Sequence, residues 1–364
     1  MNPARLSLRR RIALEAARKL ENDIIREHPL RQLFWECTLR CNLHCQHCGS
    51  DCKVQALQPD MPKEDFLHVL DQVADRTDPH KVFVIVTGGE PLMRSDLEEC
   101  GRAIYDKGFP WGMVTNGLAL TPQRFQRLLR SGLHSATVSL DGFEDDHNWM
   151  RGNDHSFSHA VDAIRMMIAE KDFVFDVVTC VNKRNISRLA ELRDYLTGIG
   201  LKHWRLFTVF PAGRAAGNPE LQLSPQEFRT VMDFIRTTRK AGIIDVSYGC
   251  EGFLGNYEGD VRDHFFTCQA GVSVGSVLVD GSISACASIR ADYHQGNIYK
   301  DNFMDVWEQR FAPYRNREWM RTGDCADCKF FRYCHGGGMH LRDGEGKQMF
   351  CHYNRFLKEI EGCD

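Results

Sequence analysis

The sequence predicts an α/β protein: a unit of six parallel strands alternating with helices, open or barrel-like, followed by a smaller cysteine-rich α+β domain. Three observations predict it. Six short apolar runs alternate with amphipathic stretches between about residues 31 and 240, the signature of βα units. Helix-start signals stand at the head of several of those stretches. Beyond about residue 245 the alternation stops and cysteines crowd, with eight of the fifteen in residues 250–364.

The first 30 residues form an N-terminal extension. Met1 to Ile12 is basic, but no apolar core or small-residue cleavage site follows, so this is no targeting peptide. Glu15, Glu21, Asn22 and Asp23 then predict a solvated amphipathic helix. The core spans 31–245. Its strand-like runs are 33–37, 82–86, 111–115, 135–140, 173–181 and 203–210. Helix-like segments lie between them at 63–76, 96–106, 123–131, 157–170 and 186–197. Asp60-Met61-Pro62-Lys63, Ser95-Asp96 and Thr121-Pro122 each place a cap or a proline in a first turn. Ser224-Pro225-Gln226-Glu227 is a capping-box start for a last helix running to about Lys240. The second domain, 246–364, offers a strand-like piece at 274–279 and a turn at Asp280-Gly281.

Composition excludes several classes. A net charge of -3 gives no electrostatic case for nucleic acid or an anionic membrane as the main partner. No window approaches the ~18 uninterrupted apolar residues of a membrane span. Fifteen cysteines without an export signal point to reduced thiols, a cytoplasmic location and metal rather than disulfides.

The strongest chemical signal is Cys41-Asn42-Leu43-His44-Cys45-Gln46-His47-Cys48, directly after the first strand. Three thiolates in one short loop suit three irons of a cubane 4Fe–4S cluster, leaving the fourth iron open to a small chelating molecule. Zinc is the alternative, with Cys37, Cys52, His44 or His47 as fourth ligand. The second strand ends in Thr87-Gly88-Gly89-Glu90-Pro91, where paired glycines let backbone approach a ligand and an acid can grip an ammonium. The third ends in Thr115-Asn116-Gly117 and the fourth in Ser139-Leu140-Asp141-Gly142. Polar, glycine-bearing strand ends thus recur around one rim, where active sites of such folds lie.

CxxxCxxC after strand one and GGEP after strand two resemble the radical SAM superfamily. The resemblance implies a partial (β/α)6 barrel in which Cys41, Cys45 and Cys48 hold a cluster whose open iron chelates S-adenosylmethionine. One electron then splits the cofactor into methionine and a hydrogen-abstracting 5′-deoxyadenosyl radical. It further implies that Gly88, Gly89 and Glu90 meet the methionine amino group, and that Ser139, Arg151 and Asn182 contact its carboxylate or ribose. His47 stands where the family usually has an aromatic residue.

The second domain resembles the SPASM extension, which houses auxiliary iron–sulfur clusters. Cys268, the run Gly281 to Cys286, then Cys325, Cys328, Cys334 and Cys351 match its pattern. Cys325, Cys328, Cys334 and Cys351 would complete one cluster. The cysteine expected four residues after Cys334 is Gly338, and none closely follows Cys268, so Cys268 and Cys286 lack two usual partners. Cys250, His335 or a substrate group would complete that site, or all six cysteines would share one cluster.

The resemblance favours a peptide or protein substrate, with ferredoxin or flavodoxin as electron donor. The rival is a haem-precursor enzyme. The sulfatase-maturing branch is disfavoured because Ala287 stands where an acidic base is expected. About 30 residues before the core are too few for a leader-binding unit. A zinc-stabilised module without redox chemistry is the reading from another class. His147, His155 and His159 read as polar surface; Trp204, Phe207 and Phe210 as strand core; Cys100, Cys180 and Cys363 as ordinary thiols.

Overall fold

The computed structural model describes residues 6–50, 52–249 and 252–357. Cys250 and Cys363 fall outside them. The predicted strands are all present, as β1 (Gln32–Thr38), β2 (Phe83–Gly88), β3 (Trp111–Thr115), β4 (Leu133–Ser139), β5 (Val174–Val181) and β6 (His203–Thr208). They pair in parallel, in chain order. Between them lie α2 (Lys63–Ala74), α3 (Leu97–Asp106), α4 (Pro122–Arg130), α6 (Ser156–Ala169) and α7 (Leu189–Gly198). Parallel strands covered on both faces read as apolar runs, and Val84, Val86, Trp111, Val138, Val177 and Trp204 are all fully buried. Trp35 of β1 stacks on Phe66 of α2 at 4.6 Å, and its indole N–H donates to the Met61 sulfur.

Both edges of this six-stranded core are covered. The capping box at Ser224 and Glu227 opens α8 (Pro225–Ala241), which leads into β7 (Asp245–Tyr248), parallel to β6. On the other side β8 (Val274–Val277) runs parallel to β1, with Gln32 opposite Val274 and Trp35 opposite Val277. β9 (Ser282–Ser284) and β10 (Gly296–Asn297) follow antiparallel, so all ten strands form one sheet. The cysteine-rich region is therefore bonded to the strand that launches the cluster loop.

Three expectations are corrected. The N-terminal helix α1 (Leu8–Glu27) is not simply solvated, because its charges find partners more than two hundred residues away. Arg10 reaches Asp260 (2.9 Å) and the carbonyls of Asn256 and Glu258, while Glu15 accepts from the Tyr333 hydroxyl (2.7 Å). Glu21 is buried and accepts from Gln269 (3.1 Å). Second, the stretch after β4 contains a further helix, α5 (Glu144–Arg151), closed by Gly152 in the left-handed conformation. Its His147 is fully buried rather than on the surface. Third, Asp60 does not cap α2; it pairs with Arg40 and accepts from Thr38.

Candidate active site

The cluster loop leaves β1 and is pinned by backbone before any side chain acts. Gly89 N–H donates to the Thr38 carbonyl (2.8 Å) and Glu90 N–H to the Arg40 carbonyl (2.9 Å). This contact explains the paired glycines. A Cβ at Gly88 would stand 2.1 Å from the Thr38 oxygen, and one at Gly89 2.2 Å from the Arg40 oxygen. Gly88 also has φ +137°, which side chains rarely adopt. Glu90 is buried and serves the next strand. Its carboxylate accepts from Thr115 Oγ1 (2.8 Å), Asn116 N–H (2.7 Å) and Leu92 N–H (3.1 Å). Burial pushes its pKa up against the pull of those donors. Asn116 in turn donates to Asn42 (2.8 Å), inside the cluster loop. Three strand ends are thereby tied into one rim.

Cys41 and Cys45 are each 8% exposed, Cys48 is half-buried, and all three pack with Leu39, Leu43, Leu118 and Cys52. Burial raises the Cys41 thiol to about 12. The loop's far half is held by Arg214, whose guanidinium donates to the carbonyls of Cys45 (2.7 Å) and Cys52 (3.3 Å) and whose N–H donates to that of Cys48 (3.1 Å). The sequence pattern singled out no side chain in the turn after β6, so Arg214 was missed. The neighbouring Gly213 lets the turn approach the loop, for a Cβ there would stand 2.5 Å from the Cys48 oxygen.

Arg151, 7% exposed, sits at the end of α5 with its Nε on Asp141 (2.7 Å) and its Nη1 3.7 Å from Cys45 Sγ. Asp141, also missed as a site residue, accepts from Cys180 N–H (2.9 Å) and so joins β5 to the site. Burial alone would raise its pKa; Arg151, His47 and His147 hold it below the ordinary value. His147 Nδ1 accepts from Asp141 N–H (2.9 Å) and its Nε2 meets Ser156 (3.0 Å), a structural role. Ser139 is the half-buried last residue of β4. Asn182 follows β5 directly, with its side chain closing a turn between the Cys180 carbonyl and Arg184 N–H. His155 and His159 are exposed.

The donor set fits a cluster and a chelating ligand. Among the described residues no three or more His, Cys, Asp or Glu side chains converge as a single ion requires. Cys41, Cys45 and Cys48 belong to one apolar cluster, with the Arg151 guanidinium beside Cys45. His47 Nδ1 is buried without a hydrogen-bond partner, a polar atom left for something the chain does not supply. Burial and then Arg151 lower its pKa to about 4, so the imidazole is neutral.

A second thiol site lies in the C-terminal region. Cys325, Cys328, Cys334 and Cys351 line one cavity of about 460 Å³, counted with the solvent at its mouth, alongside Phe253 and Phe331. The buried Arg342 places Nη2 3.5 Å from Cys325 Sγ. Cys268 and Cys286 do not line this cavity; Cys268 borders a neighbouring one together with Cys334.

A family model for the radical SAM superfamily matches residues 35–196, and one for the SPASM iron–sulfur cluster-binding domain matches 268–329. The chain is a radical SAM enzyme with a C-terminal SPASM domain. Its cofactors are a 4Fe–4S cluster, S-adenosylmethionine and auxiliary iron–sulfur, which sets aside the zinc-stabilised, non-catalytic reading. Among curated relatives, an AdoMet-dependent heme synthase of Nitratidesulfovibrio vulgaris is 26% identical over 87% of this chain and 89% of that protein. The mycofactocin maturase MftC of Mycolicibacterium smegmatis is 26% identical over 84% and 77%. Two solved structures share the fold. AdoMet-bound anSMEcpe has a TM-score of 0.68 at 19% identity, covering 92% of this chain and 99% of that one. Streptococcus suis SuiB bound to S-adenosylmethionine has 0.65 at 15%, covering 86% and 75%.

Proposed function

We propose that the enzyme modifies a peptide or protein, as a maturase of ribosomally made peptides does. In this reading residues 31–245 form the radical SAM core, 246–364 the auxiliary-cluster domain and 1–30 an extension. Cys41, Cys45 and Cys48 hold the catalytic cluster. The backbone of Gly88 to Glu90 faces the cofactor's amino group, and Ser139, Arg151 and Asn182 face its carboxylate and ribose. Together the cluster and cofactor supply the radical that removes a hydrogen atom from substrate. The chain's own residues orient and enclose: Asp141 fixes Arg151, Glu90 fixes the third strand end, and Arg214 fixes the cluster loop. A ferredoxin or flavodoxin of the cytoplasm delivers the electron.

One observation carries the substrate class. The arginines at the strand ends are already committed: Arg40 to Asp60, Arg94 to Asp96, Arg151 to Asp141, Arg184 to Asp146 and Arg214 to loop carbonyls. A porphyrin carrying several carboxylates needs guanidinium groups unpaired and turned toward it. A peptide, whose backbone recruits neutral donors and acceptors, does not. The second reading, a haem-precursor enzyme, is favoured by the heme synthase relative, which aligns over 89% of its own length.

The test is anaerobic incubation of reduced, fully loaded enzyme with S-adenosylmethionine and one of two additions. One is Fe-coproporphyrin III. The other is a set of deuterated peptides encoded beside the gene. Deuterium in 5′-deoxyadenosine and a mass change in a peptide support the maturase. Turnover of the porphyrin with no label from any peptide refutes it.

A further inference from the structure

We infer that this chain holds one auxiliary cluster, and that its second SPASM site has been replaced by a protein strut fastened to the N-terminal helix. The inference rests on assigning Cys325, Cys328, Cys334 and Cys351 to a cluster.

A cubane of this kind takes four cysteine thiolates. Four line the larger cavity. A smaller one, about 280 Å³ on the same measure, has Cys268 but not Cys286 in its wall. Its other walls include Glu21, Tyr314, Arg317, His335 and Cys334, the last shared with the larger cavity. The sequence supplies no thiol at the usual places, since Gln269 to Val274 and Gly338 stand where further ligands are expected; Cys250, the remaining candidate, lies outside the described residues, and the wild-type iron count tests it.

The orphaned ligand loops are bridged by protein. Arg317 is 5% exposed and donates to the carbonyls of Cys268 (2.9 Å), Ala270 (3.1 Å), Tyr314 (2.7 Å) and Gly337 (3.5 Å). Gly337 adjoins the missing cysteine position. One guanidinium therefore joins the two loops that a cluster would otherwise join. Tyr314, 1% exposed, packs against the turn after Cys268 so closely that a Cβ on Gly271 would stand 2.3 Å from its own Cβ. Its hydroxyl reaches the Tyr293 carbonyl (2.6 Å), past the Cys286 segment.

Helix α1 completes the replacement. The Glu21 carboxylate, 7% exposed, is taken up by Gln269, the residue after Cys268, and Gln269 also donates to Thr267 (2.9 Å). A carboxylate so engaged, facing the Cys268 cavity, is a poor neighbour for an anionic cluster. His335 and Cys334 share the cavity, but with Cys334 committed to the four-cysteine set, Cys268 and His335 leave two ligands.

The experiment counts iron and acid-labile sulfide in anaerobically reconstituted full-length protein, with Mössbauer spectra to quantify cluster types. The wild type is expected to bind ~8 iron atoms per chain, the sum of two cubanes. A Cys268→Ala/Cys286→Ala variant keeps that number, with an unchanged Mössbauer spectrum. A Cys325→Ala/Cys328→Ala variant falls to ~4. A wild-type count of ~10 or more, or loss of iron on removing Cys268 and Cys286, overturns the inference. If Cys325→Ala/Cys328→Ala loses no iron, the four-cysteine assignment itself is wrong, a distinguishable failure. The wild-type count stands even if a variant does not fold.

Discussion

Gly89→Ala is the most economical probe of the rim, because it adds one methyl group where the structure leaves none. That Cβ would lie 2.2 Å from the Arg40 carbonyl oxygen and 3.0 Å from the Leu39 carbonyl carbon. Against a working minimum of 3.0 Å the shortfall at the oxygen is 0.8 Å (3.0 less 2.2), and the obstacle is backbone that cannot rotate away. Either β2 withdraws from β1 or the cluster loop moves. Withdrawal weakens the bonds from Gly89 to Thr38 and from Glu90 to Arg40, about 1 kcal/mol each. Overpacking adds about 1–3 kcal/mol. The sum, about 3–5 kcal/mol, lowers the melting midpoint of a 364-residue chain by about 4–7 °C at ~2.1 cal/mol/K per residue. Chemistry suffers more, since a displacement near 1 Å in a positioned site costs ~10²-fold. The assay is 5′-deoxyadenosine formation under reducing, anaerobic conditions, with iron content and thermal midpoint measured on the same sample. Gly198→Ala is the control, for nothing lies within 4 Å of the Cβ it would add. A Gly89→Ala enzyme with wild-type midpoint and wild-type yield would show that the close approach has no role.

Cys45→Ala should abolish 5′-deoxyadenosine formation and remove ~4 iron atoms while the auxiliary iron stays; retained cleavage would refute the catalytic assignment. Cys52→Ala, buried beside the three thiols but outside their spacing, should leave iron content and turnover unchanged; a loss of ~4 iron atoms would make Cys52 a ligand. His147 is buried and neutral, its pKa lowered from 6.5 to about 3 chiefly by desolvation. Between those values the unfolded chain holds the extra proton, so stability is intact above pH 6.5 and lost as pH falls below it. His147→Asn should flatten the drop in urea stability between pH 7.5 and 5.5 by ~1.4 kcal/mol; an unaltered pH profile would count against it. Arg290→Met leaves the Glu36 carboxylate, 2% exposed, without its 2.7 Å partner. The expected loss is ~1–3 kcal/mol, discounted because Arg290 is partly exposed, and Glu36→Gln should recover part of it in a double-mutant cycle.

Strands and helices of the core were legible because each carries its own periodicity, and the apolar runs of β1 to β6 needed no partner to be recognised. The cluster ligands were legible for a related reason: three thiols within eight residues advertise themselves. Most of what the chain concealed was a pairing across distance. Charges in α1 read as solvated until Asp260, Tyr333 and Gln269 appeared beside them. Asp141 and Arg214 look like ordinary loop residues, and their roles arise only when β4, β5 and the turn after β6 converge on Cys45. The helix carrying Arg151 was hidden by composition, for Glu144 to Arg151 is so polar that it resembles a loop.

The seam between β1 and β8 bears on how substrate reaches the site. An isolated six-stranded barrel would expose the edge of β1, the strand whose end launches the cluster loop. Here that edge is filled by β8 in parallel register, and Val279 N–H and Arg290 both converge on Glu36 of β1. Register in a buried sheet is strongly specified, because a slip of one residue exchanges its two faces. The auxiliary region therefore cannot swing away as a hinged lid does without breaking a ladder in the middle of the sheet. Substrate must enter past loops rather than between separating domains. The segment after the cluster loop exposes the apolar side chains of Val54 and Leu57. Hydrogen exchange should find β1 and β8 amides protected to the same degree with and without substrate, and protection changes confined to residues 53–60.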